Sequence, residues 1–468
     1  MNPFARFQGL AGRSFDAVSS ALSEVSGRLN HESHRIAITG LQRAGKTVFV
    51  TSFTHALLHA ENAPKGEFPF FPWRGEVQEV AVGDIPGIPS FPYRERLDDL
   101  LGDAPKWPRR TTGLTGLRIR IQHTPTGTIA KKLTSKETLD LDLIDYPGEW
   151  LLDLPMLPQS YQEWSTQMEE LATAGSRATL SKSWLKEAKS LDPHAKEDVA
   201  KLAQIGTLYV DYLKRCRSER NLYYVQPGRF LANDFGGAGA EPIFFPLSGI
   251  KTIKAGSNAA ALAKRYDAYL KLVRRFYSGV FGRLRRQVVL IDLLTALQNG
   301  HESFADLALA MRTISEAFED LKNPVLKLLP FGRVDRLALV ATKADHVTAD
   351  QMNNLIGLLR DMIGEPFMQA NARQSGLLAI ASVRATTQIT RKWAGEALPF
   401  LRGVPDGRGG DAIEVRPGVI PDQIPTAVQW KGLEFHIRHF APPRQGAPYE
   451  KRPLPHINLD KVLQFLIA

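Results

Sequence analysis

The 468-residue sequence contains one cysteine, Cys216, and no long uninterrupted hydrophobic run. A single cysteine excludes an internal disulfide framework and any metal cluster built from cysteines, and it favours a reducing compartment. No stretch reaches the roughly 18 consecutive apolar residues of a membrane-spanning helix. Charged residues interrupt residues 1–30, so no secretory signal peptide is predicted. We therefore expect a cytoplasmic protein.

Internal repeats and low-complexity tracts are also missing, and the overall composition is that of a soluble globular protein. Hydrophobic residues make up 43% of the sequence and charged residues 23%. The length suggests about two or three domains, or one core with insertions. A formal net charge of +10 suits a partner with phosphates, anionic lipid or nucleic acid, but it does not choose among them.

The most informative stretch is residues 34–52, where GLQRAGKT lies between a predicted strand and a predicted helix. Gly40 and Gly45 allow a tight turn that brings backbone N–H groups close to phosphate oxygens. Lys46 would reach the β- and γ-phosphates of a nucleotide, and the Thr47 hydroxyl would be a Mg²⁺ ligand. The alternative is a chance match in a glycine-containing turn. The residues expected to contact the nucleotide here are Gln42, Arg43, Ala44, Gly45, Lys46, Thr47 and Val48.

Two alternating runs predict an antiparallel strand pair that ends at an acidic motif. Residues 117–121 alternate apolar and basic side chains, and residues 139–144 alternate apolar and acidic ones. Opposite charges on the paired strands would help to fix their register. Asp145 then ends the second strand, where a carboxylate beside a phosphate loop can hold Mg²⁺ or its water. Gly148 can bring its N–H close to a γ-phosphate without a side-chain clash, although an ordinary Asx turn also fits.

The remaining organisation follows from changes in composition and periodicity. A predicted helix rich in Arg and Lys, residues 257–286, has one basic face. That face is either a solvated domain edge or a binding surface for anionic lipid or an acidic partner. The predicted segments are an N-terminal helix (1–33), a first core part (34–150) with a Pro-rich excursion (61–108), a mostly helical insertion (151–286), a second core part (287–386) and a C-terminal extension (387–468).

A buried strand ends in TKAD, which resembles the [N/T]-K-x-D guanine-recognition motif of Ras-like GTPases; its motif positions are Thr342, Lys343 and Asp345. One carboxylate can accept hydrogen bonds from both the ring N–H and the exocyclic amine of guanine, and adenine offers no such donor pair. By this resemblance Asp345 sets guanine specificity and Lys343 packs on the base. An ordinary polar strand end is the alternative. Ser382 and Val383 occupy the place of the family's S-A-K loop, as a looser match.

The order of motifs resembles the Ras-like GTPase core, and the resemblance assigns further roles. Thr111 or Thr112 would complete the Mg²⁺ shell in the GTP state. Glu149 stands where many relatives carry a water-orienting Gln, which leaves the hydrolysis rate open. Arg109, three residues before Thr112, resembles the built-in arginine finger of heterotrimeric G-protein α subunits. A solvent-facing or locally paired arginine is the alternative.

At finer resolution the chain is identified as a member of the YcjX-like family of bacterial Ras-like GTP-binding stress proteins. The segments that carry this resemblance are GLQRAGKTVF, WPRRTTGL, LIDYPGEWLLDLP, VQPGRFLANDFGGAGA and PHINLDKVLQFL. The resemblance implies an α/β fold with a Ras-like P-loop NTPase core, a mostly helical insertion and a C-terminal extension.

The expected activity is Mg²⁺-dependent binding of GTP and GDP with slow GTP hydrolysis, as a nucleotide-controlled switch that acts on an unknown protein effector. A peripheral contact with the anionic inner membrane is a further expectation, and no specific nucleic-acid partner is predicted. One rival function is an ATP-dependent P-loop kinase or ATPase, against which TKAD argues. The other is a nucleotide-stabilised adaptor that binds a partner or membrane with negligible turnover.

Overall fold

A computed structural model describes most of the chain between His31 and Ile467. The described residues are 31–63, 77–111, 113–124, 137–231, 243–279, 284–320, 334–370, 374–407, 410–444 and 447–467. Thr112 therefore lies outside the described residues. So does the segment predicted as an N-terminal helix (1–33), except for its residues 31–33. No described helix combines the length and apolar character needed to cross a membrane.

Strands and helices alternate along the described ranges. The strands are β1 (His31–Gly40), β2 (Val77–Gly83), β3 (Thr115–His123), β4 (Glu137–Asp145), β5 (Arg286–Ile291), β6 (Arg336–Ala341), β7 (Ser375–Ala379), β8 (Thr387–Trp393), β9 (Glu396–Gly403) and β10 (Ile413–Val415). The helices are α1 (Lys46–Leu58), α2 (Tyr93–Leu101), α3 (Tyr161–Thr173), α4 (Arg177–Leu180), α5 (Lys182–Lys189), α6 (Val199–Arg220), α7 (Asn258–Gly279), α8 (Leu293–Gln298), α9 (His301–Asp320), α10 (Met352–Ile363), α11 (Glu365–Ala370), α12 (Ala427–Trp430) and α13 (Leu459–Ile467).

The chain divides into two compact units. Among the described residues, the sheet unit comprises those within Ala21–Pro147, Arg283–Gln298 and Gly332–Ala468, and the helical unit comprises those within Gly148–Gly282 and Asn299–Phe331. This division differs from the predicted segments, because the region around α9 belongs to the helical unit and not to the second core part. A buried ion pair joins α9 to the rest of the helical unit: Arg177 Nη1 lies 2.7 Å from Asp306 Oδ1.

The sheet unit is built on a seven-stranded sheet in the order β2-β3-β4-β1-β5-β6-β7. The neighbours from β4 to β7 are parallel, whereas β2 and β3 pair antiparallel at one edge. The α/β fold expected from the sequence is therefore confirmed. Inside the predicted Pro-rich excursion the structure has the edge strand β2, which was not predicted, and the short helix α2.

Charge pairing fixes the register of β3 and β4 as predicted. Arg118 opposes Asp142 and Arg120 opposes Asp140. Both guanidinium groups bind their carboxylates through two N–H groups, with N–O distances of 2.6 and 2.9 Å for Arg118 and 2.9 Å twice for Arg120. A shift of register by one residue would separate these pairs, because alternate residues point to opposite faces of a sheet.

Apolar residues of α1, α2 and α13 cover one part of the seven-stranded sheet and form its core. Helix α13 is amphipathic, and its buried face consists of Leu459, Val462, Leu463 and Leu466. A second sheet, in the order β10-β9-β8, lies within the C-terminal extension and was not predicted. Because β8 is exposed along almost its whole length, it lacks the alternating apolar pattern by which a half-buried strand is recognised.

The helical unit has an aromatic core. Its large buried aromatic side chains belong to Trp164, Trp184, Tyr209, Phe244, Phe245, Tyr266, Tyr269 and Tyr277. Ring contacts join many of them, for example Trp164 with Phe244 at 5.1 Å between ring centroids. Packing of these rings contributes both apolar area and edge-to-face attraction to the unit.

The predicted basic helix is shorter than expected. It is α7, which ends at Gly279, whereas Arg286 is the first residue of β5. The prediction that Arg285 and Arg286 lie on this helix face is therefore wrong, because the apolar run after them forms a central strand. Among the basic residues that remain on α7, Arg265 contacts Glu197 and Arg274 donates to a backbone carbonyl oxygen.

Candidate functional site

The loop between β1 and α1 has the backbone geometry that its glycines permit. A Cβ at Gly40 would lie 2.6 Å from the carbonyl oxygen of Leu290, so only glycine fits at this position. Gly45 is the N-cap of α1 and has φ 80°, and Arg43 has φ 61°, both in the left-handed region. The helix then begins at Lys46, so its positive N-terminal end faces the loop that precedes it.

Lys46 and Asp145 meet where β1 and β4 end side by side. Ile38 of β1 is the parallel partner of Asp145, and the N–H of Tyr146 donates to the Ile38 carbonyl oxygen at 3.1 Å. The Lys46 ammonium donates to the carbonyl oxygen of Tyr146 at 2.9 Å and lies 3.5 Å from Asp145 Oδ1. Only 1% of the Asp145 surface is exposed. The structure thus brings the predicted lysine and carboxylate together.

The two described threonines of the predicted metal set also meet. The hydroxyl oxygens of Thr47 and Thr111 are 3.1 Å apart, and the backbone N–H of Thr111 donates to Thr47 Oγ1 at 3.2 Å. Both residues are buried. The side chain of Arg109, two residues earlier, is exposed to solvent. Thr111 therefore lies at Thr47, whereas the other candidate threonine, Thr112, is outside the described residues.

The chemistry of these donors fits Mg²⁺. Two hydroxyl groups, from Thr47 and Thr111, and the Asp145 carboxylate are hard oxygen ligands, which Mg²⁺ prefers. Within the described ranges, no group of three or more His, Cys, Asp or Glu side chains could hold a metal ion by itself. Proteins usually bind Mg²⁺ through one or two carboxylates together with phosphate oxygens and water.

The TKAD loop follows the carboxyl end of β6. Its lysine is held by Asp292, the residue directly after β5. The Thr342 N–H donates to the carbonyl oxygen of Ile291 at 3.0 Å. The Lys343 ammonium donates to Asp292 Oδ2 at 2.6 Å and lies 3.3 Å from Thr295 Oγ1. Burial would raise the pKa of Asp292, but Lys343 and Thr295 outweigh burial and lower it. The sequence did not reveal Asp292, although an acidic residue directly after an apolar parallel strand was an available signal.

Asp345 is buried, and donors from its own unit hold its carboxylate. The N–H of Ala385 donates to Oδ2 at 2.8 Å, and Nδ1 of His346 lies 3.1 Å from Oδ1. The Thr386 hydroxyl donates to the backbone carbonyl oxygen of Asp345. Burial would raise the pKa of Asp345, but His346 and the Ala385 N–H outweigh it and lower the pKa. The group is therefore an ionised acceptor at neutral pH.

The loop that contains Ser382 and Val383 is fixed by the C-terminal segment of the chain. Val383 is buried in a small apolar cluster with Leu454. The backbone N–H of Arg384 donates to the carbonyl oxygen of Pro455 at 2.7 Å. Ser382 is half-buried. The predicted base-contacting loop is therefore in place at the end of β7, with its conformation set by residues about 70 positions further along the chain.

Gly148 and Glu149 belong to the helical unit, of which Gly148 begins the first described segment. They start a 3₁₀ helix over Gly148–Met156. Glu149 is 2% exposed, and its carboxylate accepts a hydrogen bond from Arg217 of α6. The carbonyl oxygen of the next residue, Trp150, accepts from the Tyr277 hydroxyl at 2.8 Å. Arg217 could not be found from the sequence, because 68 residues separate it from Glu149.

Comparisons with known proteins show which family this chain belongs to. A family model described as the YcjX-like family, DUF463, matches residues 34–468. A protein of Escherichia coli (strain K12) named Ras-like GTPase YcjX is 37% identical over 454 residues, which cover 93% of this chain and 95% of that protein. A Shewanella oneidensis protein of the same name is 32% identical over 462 residues, which cover 93% of this chain and 94% of that protein.

Proposed function

This chain belongs to the YcjX-like family, and from that membership we propose that it is a Mg²⁺-dependent GTP-binding protein that hydrolyses GTP slowly and acts as a nucleotide-controlled switch. The names of its relatives, Ras-like GTPase, favour this function. One observation carries it furthest: Lys46 lies beside Asp145, and Thr47 beside Thr111, at the ends of β1 and β4.

The order of loops along the sheet supports a Ras-like P-loop core. In an open parallel sheet, ligands bind outside the carboxyl ends of the strands. The phosphate loop follows β1, Asp145 ends β4, TKAD follows β6 and the Ser382 loop follows β7. All four lie at the carboxyl ends of the strands, on the same side of the sheet, because β4, β1, β5, β6 and β7 are mutually parallel.

The phosphate groups would bind to the loop at residues 42–48, whose backbone N–H groups and helix N-terminus favour anions. Lys46 would leave the Tyr146 carbonyl oxygen and contact the β- and γ-phosphates. Thr47, Thr111 and Asp145 would hold Mg²⁺, which would neutralise negative charge on the phosphates. In the GTP state the γ-phosphate would order the loops around Thr111 and around Asp145 to Trp150, with Gly148 as a backbone donor.

Guanine would be recognised by Asp345, with Lys343 packed on the base and the backbone at Ser382 and Val383 facing the guanine oxygen. The Asp345 carboxylate accepts one protein donor on each oxygen, and each oxygen has a second lone pair. Two acceptors therefore remain for the ring N–H and exocyclic amine of guanine.

Hydrolysis would proceed by attack of water on the γ-phosphate, with Lys46 stabilising the developing charge. The two other predicted catalytic residues support a slow rate. Glu149 is engaged by Arg217, so it must leave that contact before it can orient a water molecule. Arg109 is exposed and must turn toward the phosphates before it can assist.

Displacement of fluorescent GDP tests this proposal. Unlabelled GDP, GTP and ATP compete for the purified protein with and without Mg²⁺, and Lys46→Ala serves as the matched variant. We expect selective displacement by guanine nucleotides and no binding to Lys46→Ala. Displacement by ATP would instead support a kinase or ATPase.

Single-turnover GTP hydrolysis then separates a switch from an adaptor. A rate above that of GTP in buffer supports the GTPase. A rate equal to it supports a nucleotide-stabilised adaptor with negligible turnover.

A further inference from the structure

His346 follows Asp345 directly and is buried beside it. Its Nδ1 atom lies 3.1 Å from Asp345 Oδ1, and because an ionised carboxylate oxygen only accepts, Nδ1–H is the donor. The backbone N–H of Ala385 occupies the other oxygen at 2.8 Å. Each carboxylate oxygen therefore has one donor from the protein.

The C-terminal extension backs the imidazole ring. The ring centroids of His346 and Phe440 are 5.5 Å apart, and Phe440 is buried. Phe440 is itself locked in place: its carbonyl oxygen accepts from Trp107 Nε1 at 2.8 Å. A Cβ added at Gly403 would lie 2.7 Å from the Phe440 ring, so β9 passes against this ring without a gap.

We propose that His346, backed by Phe440, is the positioning residue that orients the Asp345 carboxylate for guanine, so that the C-terminal extension forms part of the base-recognition site. This inference rests on the proposed guanine-nucleotide function. It adds a residue outside the T-K-x-D motif, and it gives the C-terminal extension a role in nucleotide specificity.

The physical reason is the soft torsion of the aspartate side chain. The terminal torsion of Asp has a broad energy profile, so the carboxylate plane is not fixed by the side chain itself. Two donors, one on each oxygen, fix the plane and leave the remaining lone pairs on the opposite side. Both lone pairs are needed at once, since guanine presents two parallel N–H groups. Loss of the His346 donor leaves backbone N–H groups, that of Ala385 among them, to hold the carboxylate, and the plane can then rotate.

The ratio of the dissociation constants for IDP and GDP measures this alignment. Hypoxanthine, the base of IDP, has the ring N–H of guanine but lacks its exocyclic amine, so the ratio reports the second hydrogen bond. His346→Phe keeps a ring against Phe440 and removes the donor, and we expect the ratio to fall about tenfold. His346→Asn keeps an N–H donor close to the position of Nδ1, and we expect it to retain most of the wild-type ratio.

His436→Phe is the matched control, because this histidine is exposed in the same extension and pairs with Glu434. If His346→Phe is poorly folded, Phe440→Leu gives the same readout through a looser imidazole ring, with a smaller fall in the ratio expected. An unchanged ratio in His346→Phe overturns the inference, even if both affinities weaken equally, because equal weakening indicates a purely structural role. A wild-type protein that binds neither nucleotide overturns the proposed function itself.

Discussion

Replacement of Asp292 by Asn tests how the sheet positions the lysine of the TKAD loop. The Asp292 side chain is fully buried, and its Oδ2 atom accepts from Lys343 Nζ at 2.6 Å and from the Thr295 hydroxyl at 2.5 Å. Its Oδ1 atom accepts the backbone N–H of Thr295 at 3.0 Å, at the start of α8. Asn keeps the size and one oxygen acceptor but removes the charge that holds the ammonium.

The expected magnitude follows from the exposure of the lysine. Breaking a fully buried ion pair costs about 3–5 kcal/mol, because the partner charge stays buried. The Lys343 side chain is 24% exposed, so its ammonium can turn to water, and we expect a loss of about 1.5–3 kcal/mol of stability, as for one charge-assisted hydrogen bond. Re-ordering the released lysine over a base costs about 1–2 kcal/mol of side-chain entropy. GDP binding should therefore weaken roughly 5- to 30-fold.

Urea unfolding and GDP titration of wild type, Asp292→Asn and Asp292→Ala give both quantities. Asp292→Ala also removes the acceptor for the Thr295 N–H, so we expect it to lose about 1 kcal/mol more stability than Asp292→Asn. Wild-type GDP affinity in Asp292→Asn would refute the claim that this carboxylate positions Lys343.

Three further predictions concern other parts of the molecule. Gly40→Ala places a Cβ 2.6 Å from a carbonyl oxygen, so we expect a stability loss of about 1–3 kcal/mol and loss of GDP binding in urea and titration experiments. Gly83→Ala is the control: its added Cβ meets open space, so neither stability nor GDP binding should change. Thr111→Val removes a hydroxyl 3.1 Å from that of Thr47, so Mg²⁺-dependent GTP affinity should fall about tenfold, and an equal loss for GDP would contradict the assignment. Burial raises the pKa of Asp153 from 3.8 to about 6, so the folded state holds this proton more tightly than the unfolded state. Stability should therefore fall by about 3 kcal/mol as pH rises from 4 to 6 and stay lower above it. Asp153→Asn should abolish this dependence in thermal unfolding at pH 4.5, 5.5 and 7, and an unchanged slope would show that another group is responsible.

The features found from the sequence are those encoded by neighbouring residues. The phosphate loop is a run of eight residues between a strand and a helix. Its glycines could be interpreted from the sequence alone, because they permit a tight turn. Asp145 ends a strand of alternating apolar and acidic residues, and TKAD directly follows a mainly apolar strand. The facing of basic β3 and acidic β4 side chains was also predicted, since opposite charges on two alternating strands favour one register.

The features that were missed depend on distant residues. Asp292 meets Lys343 only because the sheet places β5 beside β6. Phe440 reaches His346 across 94 positions of sequence, in an extension whose exposed strands carry no clear apolar period. The Arg217 partner of Glu149 is likewise fixed by the packing of the helical unit.

The central claim is that this chain recognises guanine through Asp345, and the base preference of Asp345→Asn tests it most directly. Affinities for GDP and XDP are measured for wild type and variant under the same conditions. Xanthine presents a carbonyl oxygen where guanine has its exocyclic amine, so an amide N–H in place of the carboxylate suits xanthine. We expect wild type to prefer GDP and Asp345→Asn to shift the preference toward XDP. An unaltered preference for GDP in the variant would contradict it.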